Sequence, residues 1–118
     1  RQLLEQHPNI NVLVGFNEWM TLGVGNAIRD TGKAASVRGI GFDSNVISVG
    51  MLESGEMDAL IVQNPFAIGY LGVRNAAQLA QGNDIGDRVI STAMTTVTQE
   101  NLFDADIQKI LFRFTGKE

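Results

Sequence analysis

Three polar residues, Asn17, Asp43 and Gln63, each stand directly after a short apolar run: "LVGF" precedes Asn17, "GIGF" precedes Asp43 and "ALIV" precedes Gln63. They are 26 and 20 residues apart, about the length of one strand, loop, helix and loop. An ionised Asp offers acceptors only, whereas Asn and Gln each offer a carbonyl and an NH2 group. A ring with vicinal hydroxyls presents alternating donors and acceptors, so one carboxylate and two amides suit a small uncharged polyol. The bonds to the carboxylate are the strong ones of the set. Trp19, two residues after Asn17, can lay an aromatic face on the apolar C–H side of such a ring, or anchor a core. Phe16 can do the same or simply pack in its strand. A plain structural role competes at each polar position, because an Asp or Asn just before a helix caps it, at about 1 kcal/mol. Cap and ligand contact can coexist. Glu18 reads as a first-turn acid favoured by the helix dipole, and His7, beside Pro8, as a surface or turn residue.

Other chemistries fit poorly. With one histidine and no cysteine there is no triad to assemble. The acids are scattered, and Glu18 with Asp43 is the one pair that a glycosidase mechanism would have to test. No metal-ligand cluster is spaced along the chain. "GVGN" and "GIGF" carry glycines without the order of a dinucleotide or Walker motif. The expectation is therefore a binding protein with no catalytic residues, no metal and no cofactor.

The 118 residues, 44% apolar and 19% charged, suit one globular core. Nine basic against thirteen acidic residues give a formal charge of -4, without any Lys/Arg run, which argues against a nucleic-acid partner. There is no apolar stretch of about 18 residues to read as a membrane span. The absence of cysteine leaves the compartment open.

The elements that must position the three polar residues follow from periodicity. Residues 1–6 are helix-like and stop at His7-Pro8-Asn9. "INVLVGF" (10–16) reads as a strand covered on both faces. A helix from Met20 to about Thr31 shares Leu22 or Val24 with Ala27 and Ile28 on one face, and Gly32 ends it. "SVRGIGF" (36–42) is a strand whose Gly39 and Gly41 point to a close backbone or helix approach. "DSNVISVGMLESG" (43–55) is a helix with Val46, Ile47 and Met51 on one side, and "DALIVQ" (58–63) is the third strand. Asn64-Pro65 supplies an N-cap and a first-turn proline. The helix it opens carries Phe66, Tyr70, Val73, Ala77 and Ala80 as one packing stripe and finishes at Gly82. The polar segment "GNDIGD" (82–87) leads to "VISTAMTTVT" (89–98), a fourth and more exposed strand. The cycle of strand, helix and glycine predicts right-handed βαβ units in a three-layer α/β sandwich with a parallel sheet. The ligand crevice of such a sheet lies outside the carboxyl ends of its strands, where all three polar residues emerge. Because a helix comes first, a strand is missing from the start of the pattern. The chain is expected to be part of a larger module with a bare strand flank or helix face.

Four stretches, "VLVGFNEWMTLGVGNAIRDTGK" (12–33), "VRGIGFDSN" (37–45), "LESGEMDALIVQNPFAIGYLGVRNA" (52–76) and "TTVTQENLFDADIQKILF" (95–112), resemble the C-terminal lobe of ribose/galactose-type sugar-binding proteins. These are receptors of ABC importers, and LacI-type repressor effector domains share their fold. The resemblance implies a type I periplasmic-binding-protein lobe spanning residues 1–118, incomplete at its N-terminus. It also implies an N-terminal lobe elsewhere, closure around one monosaccharide, a permease or sensor partner, and a periplasmic or extracellular location. Carried over by motif, it assigns sugar hydroxyls to Asn17, Asp43 and Gln63, the residues that strand-end position also selects. "NEWMTLG" departs from the usual Asn-Asp-x-"MALG", so Glu18 and Trp19 mark where ligand preference would be tuned. "DALIVQNPFAIGY" looks more like the transport branch than the repressor branch, and a sensor domain of a membrane histidine kinase is a related alternative.

Overall fold

The computed structural model describes residues 1–86 and 89–112; Asp87, the last residue of the "GNDIGD" loop, lies outside them. The order of elements is α1 (Gln2–Gln6), β1 (Val12–Val14), α2 (Glu18–Asp30), β2 (Arg38–Phe42), α3 (Val46–Ser54), β3 (Ala59–Gln63), α4 (Pro65–Ala80), β4 (Met94–Val97) and α5 (Ala105–Leu111). The four strands form one sheet in the order β1-β2-β3-β4. The β1–β2 and β2–β3 pairs are parallel, in registers that set Val14 against Ile40 and Phe42 against Ile61. The chain divides into two compact units, one made of Arg1–Val62 with the chain from Thr95 onward, the other of Gln63–Met94.

Local chemistry explains where the helices start and stop. Asn17, Asn45 and Asn64 cap α2, α3 and α4 through side-chain oxygens that accept from Met20, Ser48 and Ala67 N–H. At the end of α2 the chain turns through Gly32 at φ +65, with Gly32 N–H bonded to Arg29 O and Lys33 N–H to Ile28 O, the paired bonds of a Schellman stop. The predicted stops at Gly55 and Gly82 also adopt positive φ.

The first unit holds two apolar clusters. Leu4 of α1, Ala27 and Ile28 of α2, and Val37 are buried together against Ile10, Leu13 and Val24. Met51, Leu52, Met57, Leu60, Val62, Val97 and Leu102 make the larger cluster. Helix α2 lies close on β2 because Gly39 and Gly41 have no side chain. A Cβ on Gly39 would meet Ile28 Cδ1 at 2.9 Å, and one on Gly41 would run into the Thr21 side chain. The predicted close approach is thus present, from helix α2 at both glycines and, at Gly39, also from the backbone, where a Cβ would lie 2.8 Å from Glu56 O.

At the other end of β2, Asp58 holds the register. One carboxylate oxygen is 2.6 Å from Arg38 Nη1, and the other accepts Gly39 N–H at 2.9 Å. Asp58→Ala removes both, and a loss of about 1 kcal/mol in denaturant unfolding is expected, mostly from the backbone bond because the Arg38 side chain is largely exposed.

Several expectations are corrected. The first strand is Val12–Val14, shorter than 10–16, and it is not covered on both faces. Leu13 packs against the cluster of Leu4, Ala27, Ile28 and Val37, while Val12 and Val14 are exposed on the opposite face. The second strand begins at Arg38, since residues 33–37 form a turn with Val37 N–H bonded to Lys33 O. Helix α3 begins at Val46 and turns Ser48, Met51 and Leu52 inward, leaving Val46 and Ile47 exposed. Its capping box, with Ser48 Oγ accepting Asn45 N–H and Asn45 Oδ1 accepting Ser48 N–H, fixes that rotation.

In the second unit, the stripe assigned to packing on α4 is exposed at Phe66, Tyr70 and Val73. The half-covered positions are Ala67, Leu71 and Asn75, one step around the helix. Helical spacing defines a stripe without saying which stripe faces inward, and here Phe66 and Tyr70 stack on each other, centroids 6.2 Å apart. The fourth strand is confined to Met94–Val97, and α5 is a helix that the periodicity reading did not assign.

Candidate functional site

Asn17 follows β1 by three residues, in extended backbone, and its Oδ1 caps α2 through Met20 N–H at 2.9 Å. The cap uses only the carbonyl oxygen. Among the described residues the Asn17 NH2 group has no protein partner, so the side chain can cap and still donate outward. Asp43 follows β2 directly. It is not the helix cap, a role that Asn45 takes two residues later. Its backbone is left-handed, φ +63, the one described non-glycine residue with positive φ, and its N–H continues the sheet ladder to Ile61 O at 3.0 Å. The left-handed turn comes between the end of β2 and the Asn45 cap of α3. Asp and Asn tolerate this conformation better than most residues.

Gln63 is the last residue of β3, as the sequence placed it, and it opens the second unit. Asn17 and Asp43 belong to the first unit, at the carboxyl ends of adjacent parallel strands. Trp19 is 79% exposed in the first turn of α2, which excludes the core-anchor reading. Phe16 is 70% exposed, and its ring leans on Phe42 with centroids 5.9 Å apart. Two exposed aromatic rings therefore flank Asn17.

Glu18 occupies the predicted first turn, but it also accepts Asn45 Nδ2 at 2.6 Å. This bond ties the start of α2 to the cap of α3 across the rim. Sequence reasoning passed over Asn45; the signal was the Asn-x-x-Ser spacing of a capping box. Asn45→Ala removes the cap and the tie together, and thermal melting should show a loss of about 1 to 2 kcal/mol.

Among the described residues no group of His, Asp and Glu is arranged to hold a metal, and no helix is long and apolar enough to cross a membrane. A groove of about 330 Å3 lined by Ile68, Leu71, Gly72, Asn75, Ile90 and Thr92 lies wholly within the second unit and contains none of the predicted site residues.

Comparison with known proteins places the chain in a family. Residues 1–84 match the model of the periplasmic binding protein domain. The chain is 35% identical over 72 residues to the D-allose-binding periplasmic protein of Escherichia coli (strain K12), covering 61% of this chain and 23% of that protein. It is 32% identical over 98 residues to the ribose import binding protein of Bacillus subtilis (strain 168), covering 83% of this chain and 31% of that protein. A carbohydrate transporter solute-binding protein from Agrobacterium radiobacter, solved in complex with D-arabinose, superposes with a TM-score of 0.81 at 32% identity, over 93% of this chain and 37% of that one. The chain thus spans 23% and 31% of the length of these two curated relatives. The α/β architecture with a central sheet is that of the type I periplasmic binding proteins, and with its residues 1–84 matched the chain belongs to the periplasmic binding protein domain family.

Proposed function

We propose that this chain is part of the C-terminal lobe of a sugar receptor of an ABC importer, acting outside the cytoplasmic membrane. It binds a monosaccharide without catalysis, between this lobe and an N-terminal lobe, and a membrane permease takes up the released sugar. Asn17, Asp43 and Gln63 bond the sugar hydroxyls, and Trp19 and Phe16 offer ring faces to its C–H side. The observation that carries the reading is that Asn17 and Asp43 follow the carboxyl ends of adjacent parallel strands, with Trp19 and Phe16 exposed close by in the sequence. Relatives that bind ribose, allose and arabinose support a pentose or hexose as the ligand.

Calorimetry of the complete two-lobed receptor with D-ribose, D-allose and D-arabinose tests this. Saturable binding of at least one of them, micromolar or tighter, is expected; no heat with any pentose or hexose would overturn it. The 118-residue chain alone should show no saturable binding, because closure of two lobes supplies the remaining hydrogen bonds and excludes water. In the complete receptor Trp19→Ala should weaken binding about ten-fold, as expected for loss of one aromatic face. An unchanged affinity would remove Trp19 from the site.

A further inference from the structure

Thr21 lies in the first turns of α2 and is wholly buried, at 0% exposure. A threonine within a helix commonly bonds its hydroxyl to the carbonyl one turn back. Thr21 does so, with Oγ1 2.9 Å from Asn17 O, but it also reaches a second element. Its Oγ1 accepts Phe42 N–H at 3.0 Å and lies 3.0 Å from Phe42 O. The one hydroxyl proton therefore has two carbonyls within hydrogen-bond reach, those of Asn17 and Phe42.

The need for this arrangement comes from the sheet. The β1–β2 ladder runs as far as Gly15 N–H to Ile40 O, after which the chain leaves the sheet to start α2. The β1-side backbone groups of Phe42 then face no strand, and a buried N–H without a partner is costly. The Thr21 hydroxyl stands where the next strand residue would, in space that Gly41 leaves open. Asn17 is one proposed sugar contact, and Phe42 directly precedes the other, Asp43.

We propose that the Thr21 hydroxyl is the positioning group of the rim, holding Asn17 and Asp43 at the spacing that one sugar ring requires. It touches no ligand itself. The proposal rests on the sugar-binding function proposed above.

The test uses the complete receptor and the sugar it binds most tightly. Thr21→Val keeps the shape and removes the hydroxyl, Thr21→Ala removes it with less crowding should the valine variant fail to fold, and Thr21→Ser keeps it. Ile28→Val, in the core farther along α2, is the control for lost stability alone, and Asp43→Asn is the control for the site. Thr21→Val and Thr21→Ala should each weaken binding about ten-fold and speed hydrogen exchange at the Phe42 amide, whereas Thr21→Ser should stay within about two-fold of the parent. Ile28→Val should lower the melting temperature and leave affinity unchanged. Parent-like affinity without the hydroxyl, or a serine variant as weak as valine, overturns the positioning role. Parent-like affinity in Asp43→Asn instead overturns the sugar-site reading on which it stands.

Discussion

Asp43→Asn in the complete receptor should lower sugar affinity by about 2 to 4 kcal/mol, roughly 30- to 700-fold. The backbone at this position dictates the choice of variant. Asp43 sits at φ +63, where alanine would add a conformational cost of about 1 to 2 kcal/mol and mix a folding effect into the binding result. Asparagine accepts the same conformation and nearly the same shape, so the change removes the negative charge without adding backbone strain. Charge-assisted bonds to sugar hydroxyls in a closed, water-poor cleft are the strongest contacts proposed for this lobe. Titration calorimetry and a thermal melt on the same sample separate the two effects. Affinity equal to the parent would remove Asp43 from the site.

Gly15→Ala should cost about 3 kcal/mol of folding stability, whereas Gly23→Ala, eight residues on, should gain about 1 kcal/mol. A Cβ on Gly15 would lie 2.7 Å from Thr21 N and 2.8 Å from Met20 C, backbone atoms that no rotamer change can move aside. The first turn of α2 would have to shift, carrying Asn17 and the Thr21 bonds to Phe42 with it. Gly23 is exposed inside α2, with nothing within 4 Å of where its Cβ would stand, so alanine there simply removes the entropic penalty of glycine in a helix. Urea unfolding of both variants measures the two signs. A neutral Gly15→Ala would mean that α2 is not held against the end of β1 as described.

The parts of this fold that were legible in the sequence are those set by local chemistry. Asn17, the Asn64-Pro65 pair, and the glycines at 32, 55 and 82 mark helix ends because their side chains or backbone freedom satisfy terminal groups wherever the helix packs. Gly39 and Gly41 announced a close approach because a strand interior otherwise has no use for them. The orientation of faces was less legible. The α4 stripe through Phe66 and Tyr70 has sound helical spacing, yet periodicity alone does not say which stripe is covered. On β1, the apolar run suggested cover on both faces, while Val12 and Val14 stand exposed on one of them. Strand-end position selected Asn17 and Asp43 as candidates, and both do follow strand ends in the fold. It could not find Thr21, whose hydroxyl meets Phe42 across 21 residues of sequence. Nor did it find the Glu18–Asn45 tie, which exists only once α2 and α3 start side by side.

A crystal structure of the complete receptor closed on its sugar tests the central claim most directly. The expected result has sugar hydroxyls about 2.7 to 3.2 Å from the Asp43 carboxylate, the Asn17 NH2 group and the Gln63 side chain, with the ring face against Trp19. A sugar bound elsewhere, with the carboxyl ends of β1 and β2 open to water, would contradict it.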